Sequence, residues 1–359
     1  MAGINGRDVK VAYARSNTWG TAASVTTQMN LRTLEGFDAK PGIVTDESFN
    51  QTFIGEGEIG DYAPTNVELA MDLRYQGAGP VLIAAAMGSA AAPAVVSSVA
   101  ANSLVAYAHV LTLATDLTKF FTVAADFGGS GAGTHYVLEV PTLKPRGFTL
   151  SVGDNGKMQI SVPATGAKTI YNSAVNTNST VNGAAAEALS NRVFRRQGVY
   201  RLNLQSAGSL TTATDAQNVS QVNLTYQRPL AEDQVFGQNY IIEPDDDGWA
   251  EFTGELVFPR MTSANANSLV VAWPNGTHLK MDLTFSGAYI NSTTTYGLLM
   301  QMPAVQITEW TTPVTGHNLL RPTAKFALRK AMTAPTGMTG ITDPLKITFT
   351  NMNSLNLLT

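Results

Sequence analysis

The chain has 359 residues, 44% of them hydrophobic, a mean hydropathy of +0.00 and a formal net charge of −4 carried by only 14% charged residues. Soluble domains usually carry about 25% charged residues, so the polar surface here falls to Thr, Ser, Asn and Gln, a composition of strands and turns that meet other protein. No Lys/Arg block provides the basic footprint that stable nucleic-acid binding needs, and the absence of cysteine excludes disulfides and thiolate metal sites.

The opening "MAGINGRDVKVAYARSNTWG" alternates instead of offering a basic region followed by an apolar block, so no secretory signal is expected. In "TNVELAMDLRY", Val67, Leu69, Met71, Leu73 and Tyr75 share one face of a predicted strand, with Asn66, Glu68, Asp72 and Arg74 on the other. A short helix follows, with Pro80 in its first turn and Gly88 at its end. The stretch from Pro80 to Thr115 has no formal charge, but Gly88, Pro93, Asn102, His109 and its many alanines argue against a membrane span. The expectation is a helix followed by a small-residue loop. "RGFTLSVGDNGKMQISV" predicts a hairpin turning at Asp154-Asn155-Gly156. "YNSAVNTNSTVNGAAAEALSNR" reads as a linker or extended arm. "SANANSLVVAW" predicts a second helix, and "HLKMDLTFSGAY" another alternating strand.

Order along the chain repeats. "NQTF", a polar loop, a strand at 66–75 and a helix at 80–87 are matched by "DQVF", "GQNYIIEPDDDGW", a strand at 250–258 and a helix near 264–273. "YVLEVP", ending at Pro141, is matched by "LLMQMP", ending at Pro303. The sequence therefore predicts a mainly β protein of two tandem β-sandwich or half-barrel domains, each with a short side helix: 1–170 and 195–359, joined by 171–194.

Catalytic patterns fail one by one. "GGSGAG" (Gly128 to Gly133) has Ala132 where a nucleophile elbow needs glycine, and reads as a flexible connection. His109, His135, His278 and His317 lack ligand spacing. Glu68 with Asp72, and Glu251 with Glu255, stand four apart on a strand, about 13 Å at ~3.3 Å per residue, too far for paired acid–base work. In "EPDDDGW" (Glu243 to Trp249), Glu243, Asp245, Asp247 and Gly248 fit the start of a calcium loop, but Gly254 falls where the last carboxylate belongs. A turn tip is expected there. No cofactor, metal or catalytic residue is assigned.

The opening "VKVAYARSNTWGTAA", the strand–helix pair "VELAMDLRYQGAGPVLIAAAMG", the segment "EPDDDGWAEFTGELVF" and the closing "DPLKITFTN" resemble the tail tube (major tail) proteins of long-tailed bacteriophages. The resemblance implies a structural virion protein, not an enzyme, that self-assembles in the host cytoplasm into stacked rings. These rings would form the hollow tail tube through which double-stranded DNA passes. Tandem members imply trimers with pseudo-sixfold symmetry, single-domain members hexamers. Tape-measure, tail terminator and distal tail proteins are the implied partners, with no membrane. Within that frame Asn66, Glu68, Asp72, Glu251 and Glu255 are expected to face the lumen. Glu56, Glu58, Asp61, Asp245, Asp246 and Asp247 are expected on loops between rings. The alternatives are another virion protein (capsid decoration or baseplate), a carbohydrate-binding β module, or a secreted β-sandwich hydrolase.

Overall fold

A computed structural model of the chain describes residues 6, 9–37, 41–45, 57–99, 104–128, 135–152, 156–187, 191–262, 269, 272–312, 314 and 319–358. The first half runs β1 (Lys10–Ser16), β2 (Thr27–Gln28), β3 (Leu31–Glu35), a hairpin of β4 (Pro41–Thr45) and β5 (Gly57–Tyr62), β6 (Thr65–Asp72) and helix α1 (Ala78–Met87). Next come β7 (Gly88–Ala90), β8 (Ala94–Val99), β9 (Leu104–Leu113), β10 (Phe120–Asp126), β11 (Val137–Pro145), β12 (Gly147–Val152), β13 (Met158–Gly166), β14 (Ile170–Tyr171) and α2 (Asn178–Gly183). The second half has β15 (Gly198–Leu204), α3 (Thr212–Asp215), β16 (Ala216–Gln217), β17 (Gln221–Gln227) and β18 (Glu251–Val257). It ends with β19 (Leu279–Tyr289), β20 (Thr295–Thr311), β21 (Thr323–Leu328) and β22 (Lys346–Asn351).

The pairing scheme repeats. In the first half β1 pairs with β2 and β10, β10 with β11, β11 with β14, β12 with β13, β13 with β6, and β6 with β3, all antiparallel. In the second half β15 pairs with β16 and β19, β19 with β20, β20 with β22 and β21, β21 with β18, and β18 with β17, again antiparallel. The long β20 takes the combined part of β11 and β12. Even an irregularity recurs: the register shifts between Phe121 and Val123 in one half and between Leu279 and Met281 in the other. In the same ladders Val140 opposes Val123 and Met302 opposes Met281, so Pro141 and Pro303 follow at corresponding places. A repeat seen only faintly in the letters is therefore explicit in the ladders.

The halves are not separate bodies. β12 pairs with β17 and β9 pairs with β22, and one continuous cluster of buried side chains extends from Val11 to Leu358. Alternation explains the strands that meet it: β6 buries Val67, Leu69 and Met71 while leaving Asn66 and Glu68 exposed. Helix α1 is buried on every side, as its almost wholly apolar sequence requires, and packs against β7, β9, β11 and β12. Gly88 ends it in the left-handed conformation at φ 83°, donating its N–H to the Ala84 carbonyl. Among the described residues no helix is long and apolar enough to cross a membrane.

Several expectations need revision. The segment after α1, expected as a loop, forms β7, β8 and β9; its alternation was masked because alanine and serine share both faces of the hairpin. The described residues of 171–194 lie against the first half. The Asn176 side chain, fully buried, accepts from Val25 N at 2.8 Å and donates to Glu139 at 2.6 Å. Glu187 caps α1 by accepting from Ala78 N at 2.9 Å, a carboxylate placed on the positive end of the helix. Most of the predicted helix near 264–273, most of "GGSGAG" and most of the Asp154-Asn155-Gly156 turn lie outside the described residues. His109 is fully buried on β9 opposite Phe349, and burial pushes its imidazole pKa down.

Candidate functional site

Eight strands form one continuous run across both halves, in the order β3, β6, β13, β12, β17, β18, β21, β20. Directly opposed residues in a ladder point to the same side, so the registers define each face without further assumption. Met71, Ile160, Leu150, Leu224, Gly254, Phe326 and Ile307 stand in one inward rung. Glycine at 254 is required by close packing, because a Cβ there would lie 2.2 Å from Phe326 Cζ. Asp72, Gln159, Ser151, Asn223, Glu255, Lys325 and Glu309 stand in the corresponding outward rung. The next is Ala70, Ser161, Thr149, Thr225, Thr253, Ala327 and Gln306.

All five residues expected to face a lumen are thus on one sheet face. Asn66 accepts a hydrogen bond from Thr165 Oγ1 at 2.9 Å, and Glu68 accepts from Ser161 Oγ at 2.5 Å. Glu251 is exposed at the start of β18. The two other acids are not bare charges. Asp72 has Arg192 at 3.0 Å, Lys157 at 3.7 Å and Arg32 at 3.9 Å. Glu255 is opposed by Lys325, which also holds Glu309 at 2.8 Å. The hydrogen bond with Lys325 pushes the Glu309 carboxyl down and the Lys325 ammonium up in pKa. This sheet face is therefore mainly neutral hydroxyl and amide, with its charges largely interleaved.

The two ends of this run differ. The end where β6 and β18 begin carries the β4–β5 hairpin and the 228–250 loop, and these touch: Tyr62 N donates to Asn239 O at 2.8 Å, and Gln234 Nε2 to Tyr62 O at 3.2 Å. Of the residues expected between rings, Glu56 lies outside the described residues, Glu58 is on β5, and Asp61 is exposed on β5. Asp245 and Asp247 are exposed. Asp246 has a different task. Its carboxylate accepts from Arg228 Nε at 2.6 Å and from Nη2 at 2.5 Å, while Arg228 also donates to the carbonyls of Ala114, at 2.9 Å, and Thr115. Burial disfavours the charged guanidinium, but hydrogen bonding to Asp246 and the nearby charges more than offset it, and the Arg228 pKa is held up. The neighbouring Lys144, also buried, donates to Glu243 at 3.2 Å and to Pro244 O at 2.5 Å. "EPDDDGW" is a loop fastened from below by two buried cations.

No pair of Arg228 and Asp246 was suggested by sequence, because nothing in the local pattern of either residue marks the other. Among the described residues no group of three or more His, Asp or Glu is arranged to hold a metal ion.

The open edges complete the geometry. β3 has a ladder only to β6, and residues 306–311 of β20 have one only to β21 among the described residues. By the internal repeat, β3 corresponds to β17 and the second part of β20 to β12, the two strands that pair with each other inside the chain. A groove of about 720 Å³, lined by Leu31, Leu34, Phe37, Met29 and Phe127 among others, runs beside β3.

A family model described as phage tail tube protein matches residues 6–350. No curated protein matches the chain. Among solved structures it is similar to the SPP1 tail tube, determined by solid-state NMR with cryo electron microscopy, at 9% identity and a TM-score of 0.31, covering 45% of this chain and 81% of that one. With a repeated β architecture, a mainly polar sheet face and a family match over nearly its whole length, the chain belongs to the phage tail tube protein family, a structural component of the virion.

Proposed function

We propose that three chains close one ring of the tail tube by repeating, between chains, the junction that each chain already makes within itself. The observation that carries this is the β12–β17 ladder, which joins the two repeats in antiparallel register from Gly147↔Gln227 to Ser151↔Asn223. The second part of β20 and the β3 edge of a neighbour are the corresponding strands left without a partner on that side. A head-to-tail junction of this kind closes into a ring when its rotation is a fraction of a full turn. Three chains of two repeats give six quasi-equivalent sectors. The groove beside β3 receives the incoming strand, and the exposed edge that would otherwise invite aggregation is covered.

The sheet face then lines the lumen. Thr149, Ser151, Asn223, Thr225 and Thr253 provide an unbroken polar surface with no block of cations to hold phosphates. Duplex DNA passes such a wall without sticking. Tape-measure, terminator and distal tail proteins are the partners this role requires, and assembly in the host cytoplasm is the corresponding place.

Size-exclusion chromatography followed by negative-stain imaging of the purified protein tests the reading. The expected particles are rings of six sectors with the mass of three chains, and hollow tubes at higher concentration. A monodisperse monomer at every concentration would refute it; hexameric rings would retain the tube and refute the trimer.

A further inference from the structure

We infer that a cavity between β12 and β17 on one side and β15 and β19 on the other binds a small organic acid, a carboxylate carried on a compact apolar body such as an aromatic ring. The inference does not depend on how chains join. The cavity measures about 170 Å³, and its lining includes Tyr200, Arg195, Val152, Val222, Leu283 and Phe285. An enclosed apolar space of ~150 Å³ already holds a benzene ring. Val222 and Leu283 also border a second, wholly apolar space, lined by Met158, Met281, Met300 and Met302 among others. Methionine is unbranched and adaptable, so this floor yields to a ring that fills the cavity.

Strand register builds the walls. Tyr200 opposes Leu283, and Gly198 opposes Phe285, in the β15–β19 ladder, so all four stand on one face. A Cβ at Gly198 would lie 2.6 Å from Phe285 Cε1, so glycine is what lets the Phe285 ring close on the β15 backbone. Tyr200 is 6% exposed, and its buried hydroxyl has no hydrogen-bond partner among the described residues. Buried polar groups in native proteins are nearly always paired, so an orphan beside a cavity marks a place where a bound molecule completes the bonding. Burial, with the nearby Asp282 charge, pushes the Tyr200 phenol pKa up, and the hydroxyl therefore keeps its proton to donate.

The donor set selects an anion. Arg195 is exposed, and its Nη1 donates to Ser220 O at 3.1 Å, which holds the guanidinium beside the cavity that both residues line. Gln217 and Asn218 add amides to the same lining. Among the described residues no Asp or Glu lines the cavity. Asp282, next to Leu283, stands on the opposite face of β19 and is held by Arg201 at 2.8 and 2.7 Å. A phenol hydroxyl and a guanidinium lining one cavity offer donors to a single acceptor group, and a carboxylate accepts from both. The apolar body then lies against Val222, Leu283 and Phe285, while the charge stays toward solvent and keeps part of its hydration.

Benzoate is the probe, titrated into the full chain below the concentration at which it assembles and followed by saturation-transfer NMR and calorimetry. Wild type is expected to bind one benzoate per chain with a Kd on the order of 1 mM, inside the bound for a ligand of this size. Benzyl alcohol, which lacks the charge, and acetate, which lacks the ring, are each expected to bind at least about tenfold more weakly. Tyr200→Phe is expected to weaken benzoate about tenfold, the loss of one hydrogen bond to a charged group. Without ligand the same variant should resist urea as well as wild type does, because the hydroxyl has no protein partner to lose. Arg195→Gln, a change at an exposed position, is expected to weaken benzoate about threefold and to leave benzyl alcohol unchanged. Absence of benzoate binding to wild type, or equal binding by wild type and both variants, would overturn the inference. So would acetate binding as tightly as benzoate, which would reveal an adventitious ion only, or benzyl alcohol doing so, which would remove the preference for an acid.

Discussion

Tyr226→Ala is expected to destabilise the protomer by about 3–5 kcal/mol, the range for removing a large aromatic from a packed core. Tyr226 is 1% exposed and lies in a rung of three aromatics, opposite Phe148 on β12 and Phe252 on β18. Its ring stacks on Phe252 with centroids 4.4 Å apart and planes at 13°, and meets Phe148 at 5.5 Å. Such pairs add about 0.5–1.5 kcal/mol beyond the area they bury. Because Phe148 belongs to the first repeat and Tyr226 to the second, the loss falls on the junction that makes the halves one body. Gly147 shows how tightly that junction closes: at φ 142° its missing Cβ would lie 2.0 Å from the Tyr226 carbonyl oxygen. Tyr226→Phe keeps the stack and is expected to lose only about 0.5–1.5 kcal/mol, the contribution of an ordinary hydrogen bond. Urea unfolding of the two variants at protomer concentrations below assembly separates these outcomes; equal losses would show that the rung contributes little.

Arg228→Met is expected to cost about 2–4 kcal/mol, below the full ~3–5 for breaking a buried pair because solvent reaches Asp246. The Asp246 side chain is 37% exposed, and the Arg228 side chain only 6%. One guanidinium joins the end of β17, the acidic loop and the carbonyls that follow β9, so its removal leaves three segments with unmet hydrogen-bonding groups. Asp246→Asn retains the shape and is expected to cost about 1–2 kcal/mol, while Asp245→Asn and Asp247→Asn stay within about 0.5 kcal/mol. Thermal unfolding of the four single variants checks the order. A loss spread evenly over the three aspartates would contradict the fastening role of Asp246.

What could be read in the sequence was what depends on near neighbours. The alternation of Val67, Leu69 and Met71 placed Asn66 and Glu68 on the outward face, and Met158, Ile160 and Val162 lie in the predicted hairpin. The match of Pro141 with Pro303 pointed to a repeat that the ladders make explicit. Contacts made at a distance were not legible. β9 pairs with β22, more than two hundred residues away, and although β7 and β8 lie close by in the chain, their alanines and serines carried no two-faced pattern. Residues 171–194 have few apolar side chains because they are held by polar ones, Asn176 and Glu187, which sequence patterning counts as loop signals. The three aspartates looked equivalent as letters. Only the position of Arg228 distinguishes the middle one, and with it a fastening from a free acidic rim.

The junction between chains is the central claim, and the absence of cysteine makes disulfide trapping a clean measurement of it. Thr149→Cys with Thr225→Cys, opposed across β12 and β17 with hydroxyls 3.3 Å apart, serves as the internal control and should close within one chain. The test places Phe37→Cys, just beyond β3, together with Thr311→Cys on β20, the positions that the repeat puts in the places of Thr225 and Thr149. Non-reducing electrophoresis after mild oxidation of rings should then show a covalent trimer that returns to monomer on reduction. A control that closes while the seam pair stays monomeric, or gives an open-ended ladder of sizes, would contradict the account.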